Sequence, residues 1–329
     1  MSRWCQNFLI NVLIVIITLT VTCTKQTDNN LQTVKRIIIY PNETALEVAL
    51  KLHDNGIISN TKTFLFWGRV LGYDKKIKSG RYKFIPNSKS LAVLKILSRG
   101  GENKVLIIIP EGYNIKEIAR LLENEGICSE KLFIKACSDK TLLRSLNINT
   151  PIAEGYLFPD SYDFTISQDP SEIIERMVKR FWQIYNEIVK SKNQKSIDTI
   201  VTIASLVEKE AKLENERPII ASVFYNRLRY KMLLQSCATV EYVLSNHKEQ
   251  LSIEDTKIQS PYNTYLHRGL PPTPICNPGR ASLVAATQPV QTKYLYFAVD
   301  NNSSHHFSKS FTEHQNFLRN KARKATDTH

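Results

Sequence analysis

One structural phrase is written twice in this chain, and nothing else in the sequence constrains the fold as strongly. The β-branched run Val34-Lys-Arg-Ile-Ile-Ile-Tyr40 passes through Pro41-Asn-Glu-Thr44 into an amphipathic stretch, Ala45–His53, with Leu46, Val48, Ala49 and Leu52 apolar, and Asn55-Gly56 stops it. Seventy residues further on, Val105-Leu-Ile-Ile-Ile109 leads through Pro110-Glu-Gly112 into a helix carrying Ile115, Ile118, Ala119 and Leu122, which ends at Glu125-Gly126. Glu47-Val48-Ala49 aligns with Glu117-Ile118-Ala119, Gly56-Ile57 with Gly126-Ile127, and Ser59 with Ser129. Strand, turn, helix and glycine stop recur together, which predicts two small βα modules; a solenoid would need at least three.

From about residue 150 the texture changes to long helices joined by aromatic and proline-rich loops. Ser171–Val189 reads as a helix with Pro170 at its start and Ile173, Ile174, Met177, Phe181 and Ile184 on one face. Ile197–Lys212 and Pro218–Tyr230 read as two more helices, and Tyr294–Val299 as a strand. The expected class is α+β.

The N-terminus holds an uncharged run, Phe8–Thr22, between Arg3 and Lys25. Its length as a helix is about 22 Å; extended to residues 7–24 it reaches the short end of the spanning range of about 17–25 residues. Three readings stand: a membrane anchor, a cleaved signal peptide, or a lipoprotein signal ending at Cys23. Thr20-Val21-Thr22 fits the last poorly and no small-x-small cleavage site follows, so the anchor is preferred. Arg3 favours a cytoplasmic N-terminus and an exported bulk, against which Lys25 counts. Polar residues 25–34 read as a linker.

Forty-four Lys+Arg against 31 Asp+Glu give a formal charge of +13. Such a chain works near something anionic. No nucleic-acid motif accompanies the charge, so a nucleic-acid partner is not expected. A membrane face or an anionic wall polymer fits better, with the basic turn Asp74–Lys83 as a contact for either. The six cysteines form no C-x-x-C pair and no His/Cys cluster has ligand spacing, so neither metal nor cofactor is expected. Cys128 and Cys137 are compatible with a bridge or with buried thiols.

No Walker A, G-x-G-x-x-G, G-x-S-x-G or H-E-x-x-H pattern occurs. The chemistry instead points to the carboxylate pair in Val207-Glu-Lys-Glu210. At about 100° per residue, Glu210 lies about 60° from the centre of the apolar stripe of its helix and Glu208 about 100°. Glu210 is therefore the more desolvated of the two by this reading, and desolvation raises a carboxyl pKa towards that of a working general acid. Two stiff loops frame the helix: Glu154-Gly-Tyr-Leu-Phe-Pro-Asp-Ser-Tyr162, and Ser260-Pro-Tyr-Asn-Thr-Tyr265 running on to Gly269-Leu-Pro-Pro-Thr-Pro-Ile-Cys-Asn-Pro-Gly279. Aromatic, Asn and Thr side chains on loops of low entropy suit sugar rings.

Those same residues carry a resemblance. The two loop sequences, with Ala204-Ser-Leu-Val-Glu-Lys-Glu210, Ala221-Ser-Val-Phe-Tyr-Asn-Arg-Leu228, Tyr294-Leu-Tyr-Phe297 and His306-Phe-Ser308, resemble the signature of the endolytic murein transglycosylase, or YceG-like, family, over about residues 35–320. The resemblance implies a cytoplasmic tail (1–6), one transmembrane helix (7–24), a linker (25–34), a LysM-like region of two βα units (35–149) and a mixed α/β catalytic domain (150–329) outside the cytoplasm. It implies a lytic transglycosylase that cuts MurNAc–GlcNAc bonds in nascent peptidoglycan strands, leaves 1,6-anhydro-MurNAc ends and terminates glycan elongation. Glycan strands, the inner membrane and cell-wall synthases are the implied partners. The catalytic acid falls on Glu210 or Glu208. Glu154, Tyr156, Asn226, Arg227, Gln235, Tyr262, Asn263, Tyr265 and His306 are carried over as cleft residues with binding or support roles.

One position departs from the family pattern. After Leu234-Gln235-Ser236 the family usually has Asp-Pro-Thr-Val; this chain has Cys237-Ala-Thr-Val240. If the lost Asp orients substrate or the acid, turnover falls, and a glycan-binding or scaffold protein of the same fold becomes the alternative. If it caps a helix, Ser236 can replace it.

Overall fold

The computed structural model describes residues 34–189, 195–244, 251–300 and 304–326. The expected tail, the apolar span 7–24 and nearly all of the linker lie outside the described residues. Among those described, no helix is long and apolar enough to cross a membrane.

The two βα phrases fold as the sequence predicts. The first is β1 (Lys35–Ile39) and α1 (Ala45–Asp54); the second is β3 (Lys104–Ile108) and α4 (Ile115–Asn124). Each helix opens with a capping box, Thr44 with Glu47 and Asn114 with Glu117, in which the cap side chain accepts the N–H of the third helical residue and the Glu accepts the N–H of the cap. Gly56 and Gly126 end the phrases at φ 68° and 71°, a conformation that side chains resist.

The described residues divide into two compact units: those up to Ile37 with Thr44–Ile77 and Lys83–Ser98, and Ile38–Glu43 with Lys78–Tyr82 and those from Arg99 on. These compact units divide near residue 99, since the second phrase is built into the larger unit. There β3 pairs antiparallel with β4 (Ser161–Thr165), Leu106 opposite Asp163, and buries Val105 and Ile107. The smaller unit carries α1, α2 (Thr61–Val70) and α3 (Ser90–Arg99) around a core of Val48, Leu52, Ile57, Phe64, Val93, Leu94 and Leu97. The basic segment after α2 forms a short 3-10 turn, Asp74–Lys76, before β2 (Gly80–Phe84).

The larger unit continues with α5 (Glu130–Ala136), α6 (Lys140–Ser145), α7 (Pro170–Ile188), α8 (Ile197–Glu210), α9 (Arg217–Arg229), α10 (Cys237–Val243) and α11 (Arg280–Thr287). The antiparallel pair β5 (Tyr296–Val299) and β6 (His305–Ser308) and the helix α12 (Phe311–Thr326) complete it. Its core runs without a break from β3 to α11. α8 is the central element: every residue from Ile200 to Val207 is buried, and α9, α10 and α11 pack on it. Cys128, Cys137, Cys237 and Cys276 are free thiols, so the bridge between the first two does not form; burial pushes the Cys128 thiol up to about 12.

Candidate active site

The long buried helix α8 delivers both candidate acids at its C-terminal end, and their partners separate them. Glu208 is tied up on both oxygens. Arg217 donates to Oε1 at 3.0 Å, and the Gly279 N–H, at the start of α11, donates to Oε2 at 2.9 Å. The Glu208 side chain is only 6% exposed and that of Arg217 15%. Arg217 also donates to the Ser282 hydroxyl at 2.5 Å. Glu208 is thus a buried ion-pair partner that knits α8, α9 and α11 together. The helical wheel sets Glu208 further from the apolar stripe than Glu210; its side chain is nevertheless shielded, because Arg217 and the start of α11 close over it.

Glu210, the last residue of α8, has no cation bonded to it among the described residues. The Ser236 hydroxyl donates to its Oε1 at 2.5 Å. Burial holds the Glu210 carboxyl above its ordinary pKa; the Ser236 hydrogen bond and the nearby His305 ring pull the other way, and the Glu241 charge adds to the rise. Part of the residue remains exposed. An acid with a raised pKa, oriented by the Ser236 hydroxyl and the Ala238 backbone and partly exposed, can give up a proton and take one back.

Ser236 is set in place from several directions. It is the N-cap residue of α10, yet its hydroxyl does not cap that helix, because it is spent on Glu210. Its own N–H donates to the Thr264 hydroxyl at 3.0 Å, and the Thr239 hydroxyl donates to its carbonyl at 2.7 Å. The residue before it, Gln235, has φ 48°, an N–H bonded to the Thr264 carbonyl at 3.1 Å and an exposed side chain.

Arg227 and Asn226 act from beneath the site. The Arg227 guanidinium donates to the carbonyls of Leu233 at 3.2 Å, Leu234 at 2.7 Å and Leu295 at 2.6 Å, and lies over the Tyr296 ring at 5.1 Å. Asn226 Nδ2 donates to the carbonyls of Thr292 and Tyr294. Both side chains are largely buried, and they hold the strand entry and the turn before Ser236.

Glu154 is a second buried acid with a different role. It accepts from the Ile115 N–H on both oxygens, from the Tyr242 hydroxyl at 3.2 Å and from Asn277 Nδ2 at 3.1 Å. Complete burial pushes its pKa to about 8. Asn277 locks the same corner, accepting the N–H groups of Gly155 and Leu157 at 2.9 Å each and donating to the Tyr113 carbonyl. Gly155 is required here: at φ 89°, a Cβ would stand 2.6 Å from Pro274 and 2.7 Å from Val201. The two stiff loops read from the sequence therefore pack on each other and on α8.

The remaining sequence candidates divide. Tyr265 reaches the site: its hydroxyl lies 3.0 Å from Cys237 Sγ, and the Glu210 charge contributes to its raised pKa. Tyr262 stands behind it, half-buried, with its hydroxyl 2.8 Å from that of Thr273 and its ring 5.0 Å from Tyr242. Asn263 is buried and ties its own loop to the carbonyls of Thr256 and Ile258. Tyr156 is removed from the binding surface, since its ring is sealed against Phe181 and its hydroxyl donates to Asp198 at 2.5 Å. His306 points away, stacked 4.2 Å from Phe317, because β6 alternates and turns its neighbour inward. That neighbour, His305, is the histidine on the Glu210 side, buried, with Nδ1 2.7 Å from Glu216 and its N–H donated to the same carboxylate. Among the described residues, no group of three His, Cys, Asp or Glu side chains is placed to hold a metal.

A fold of this kind has known counterparts. The chain belongs to the YceG-like family, whose profile matches residues 37–320. Among its relatives is the endolytic murein transglycosylase of Bacillus subtilis (strain 168), 34% identical over an alignment of 289 residues that covers 81% of this chain and 79% of the relative. The endolytic murein transglycosylase of Streptococcus pneumoniae (strain ATCC BAA-255 / R6) is 30% identical over 313 residues, covering 82% of this chain and 56% of that one. The 2.6 Å crystal structure of a yceG-like protein from Listeria monocytogenes matches with a TM-score of 0.61 and 31% identity, covering 86% of this chain and 98% of the other.

Proposed function

We propose that this protein is an endolytic murein transglycosylase, a lyase that cuts the MurNAc–GlcNAc bond within peptidoglycan strands and leaves 1,6-anhydro-MurNAc ends. The observation that carries the reading is Glu210: a carboxyl raised by burial, oriented by Ser236, while Glu208 beside it is committed to Arg217 and Gly279. A hydrolase normally needs a second carboxylate to serve water or to attack the sugar. A lytic transglycosylase uses the sugar's own C6 hydroxyl. Protonated Glu210 gives its proton to the glycosidic oxygen as the C1–O bond breaks. The resulting carboxylate then takes the C6 hydroxyl proton as O6 bonds to C1, and the acid is restored with no water consumed.

Exposed Gln235 and half-buried Tyr262 and Tyr265 are the side chains offered to the glycan; Glu154, Asn226, Arg227 and Asn263 position them. Residues 7–24 act as a single membrane anchor that leaves the catalytic unit outside the cytoplasm, and the smaller unit is a LysM-like module that meets the glycan. Cell-wall synthases that elongate the strand are the partners this activity requires.

A second reading, a glycan-binding protein of the same fold with weakened turnover, is favoured by Cys237-Ala238 in place of Asp-Pro. Mass spectrometry of digested strands separates the two. Ends lacking one water support the transglycosylase, reducing ends indicate a hydrolase, and binding without new ends indicates the weakened form.

A further inference from the structure

A cavity of about 1110 Å³ opens on the flank of α9 away from Arg227. Ser222, Tyr225, Asn226 and Arg229, spaced to share one helix face, form one wall, and the segment from Thr287 to Tyr294 forms the other. Four cations surround it, Lys195, Arg229, Lys293 and Lys309, and none of the described residues lining it is Asp or Glu. Lys195 is held over the Tyr225 ring at 4.2 Å. Between the charges lie the paired hydroxyls of Ser222 and Thr292, 2.8 Å apart, and the apolar surfaces of Pro289 and Val290. The volume exceeds what one inorganic anion needs and suits a flexible chain of mixed character. Separated point charges, hydroxyl partners and small apolar patches match a short peptide with free carboxylates.

Its position fits that ligand. Asn226 holds the Thr292 and Tyr294 carbonyls of the cavity wall, while the next residue, Arg227, lies close enough to Glu210 to feel its charge. Cavity wall and acid are thus both tied to the last turn of α9, through Asn226 and Arg227.

We propose that this cavity is the subsite for the carboxylate-bearing stem peptide of a muramic acid residue of the bound strand. The assignment rests on the transglycosylase reading of Glu210, and its test is arranged to fail separately. In the full-length protein, the triple variant Arg229→Gln/Lys293→Gln/Lys309→Gln removes three cations without touching Glu210, Ser236 or Arg227. Calorimetric titration with soluble MurNAc-pentapeptide should show salt-sensitive binding that weakens about tenfold in the variant, as the loss of three exposed ion pairs implies. Retained binding in a variant with wild-type melting temperature overturns the proposal. So does displacement of the peptide by polyglycerol phosphate at equal affinity, which would make the cavity a site for phosphate polymers.

Turnover supplies the second readout. The ratio of kcat/KM on peptide-bearing strands to that on amidase-stripped strands should exceed one in the wild type and fall to about one in the variant. An unchanged ratio overturns the subsite. If the wild type releases no anhydro ends from either substrate, the transglycosylase reading fails, and the peptide titration still decides whether the cavity binds a carboxylate-bearing peptide.

Discussion

The Ser236 hydroxyl donates a 2.5 Å hydrogen bond to Oε1 of Glu210, joining the cap position of α10 to the last residue of α8. That bond favours the ionised acid and opposes the burial that raises its pKa. Ser236→Ala should therefore raise the Glu210 pKa further. A hydrogen bond to a charged group contributes about 1.5–3 kcal/mol, so the basic limb of the kcat/KM profile should move up by about one pH unit, with a lower maximum because the carboxyl is no longer aimed. A pH–rate profile on purified glycan strands checks this; an unmoved basic limb contradicts it.

Glu208→Gln should behave as a stability mutant. It leaves Arg217 buried without its carboxylate, a loss of about 3 kcal/mol for a broken buried pair. The melting temperature should fall by several degrees while anhydro ends still form below the transition. Complete loss of activity in a fully folded Glu208→Gln protein would move the catalytic role to that residue.

Glu154 gives the fold a pH dependence. Its pKa is about 8 when folded and near the ordinary carboxylate value when unfolded, so its contribution is fully present below about pH 4.5 and is lost as pH rises through 8. Thermal melts from pH 5 to 9 should show stability falling with pH in the wild type. The fall should be shallower in Glu154→Gln, though not absent, since Glu111 and Glu210 are also raised by burial.

Cys237 is exposed at the first position of α10, with its Sγ 3.0 Å from the Tyr265 hydroxyl. Cys237→Asp places a carboxylate where a helix N-terminus favours one, by about 0.5 kcal/mol. It also adds a negative charge near Glu210. A melting temperature raised by a degree or two and a basic limb shifted to higher pH are expected; unchanged values of both would show that the departure at this position has no consequence for the site.

Much of this was legible in the sequence. The twofold phrase predicted two βα units because the signal is local: a β-branched run, a turn, a helical stripe and a glycine. A local signal does not say which larger unit a phrase joins. What assigns the second phrase to the larger unit is the pairing of β3 with β4, whose residues Ser161–Thr165 lie more than 50 positions away. Pattern reading placed Glu210 and its two loops together, but could not tell a side chain facing a ligand from one facing a carbonyl. Hence Tyr156, Asn226 and Arg227 proved to be internal struts. Ser236 was read as a possible cap, and only the fold shows its hydroxyl turned to Glu210. His305 was legible in principle, since a strand carrying His305-His306 must bury one of the two.

The most direct test is mass spectrometry of glycan strands incubated with wild-type protein and with Glu210→Gln. The wild type should release fragments ending in 1,6-anhydro-MurNAc, one water lighter than hydrolysed ends, and Glu210→Gln should release none while melting no lower than the wild type at pH 7. Anhydro ends produced by folded Glu210→Gln would contradict the account.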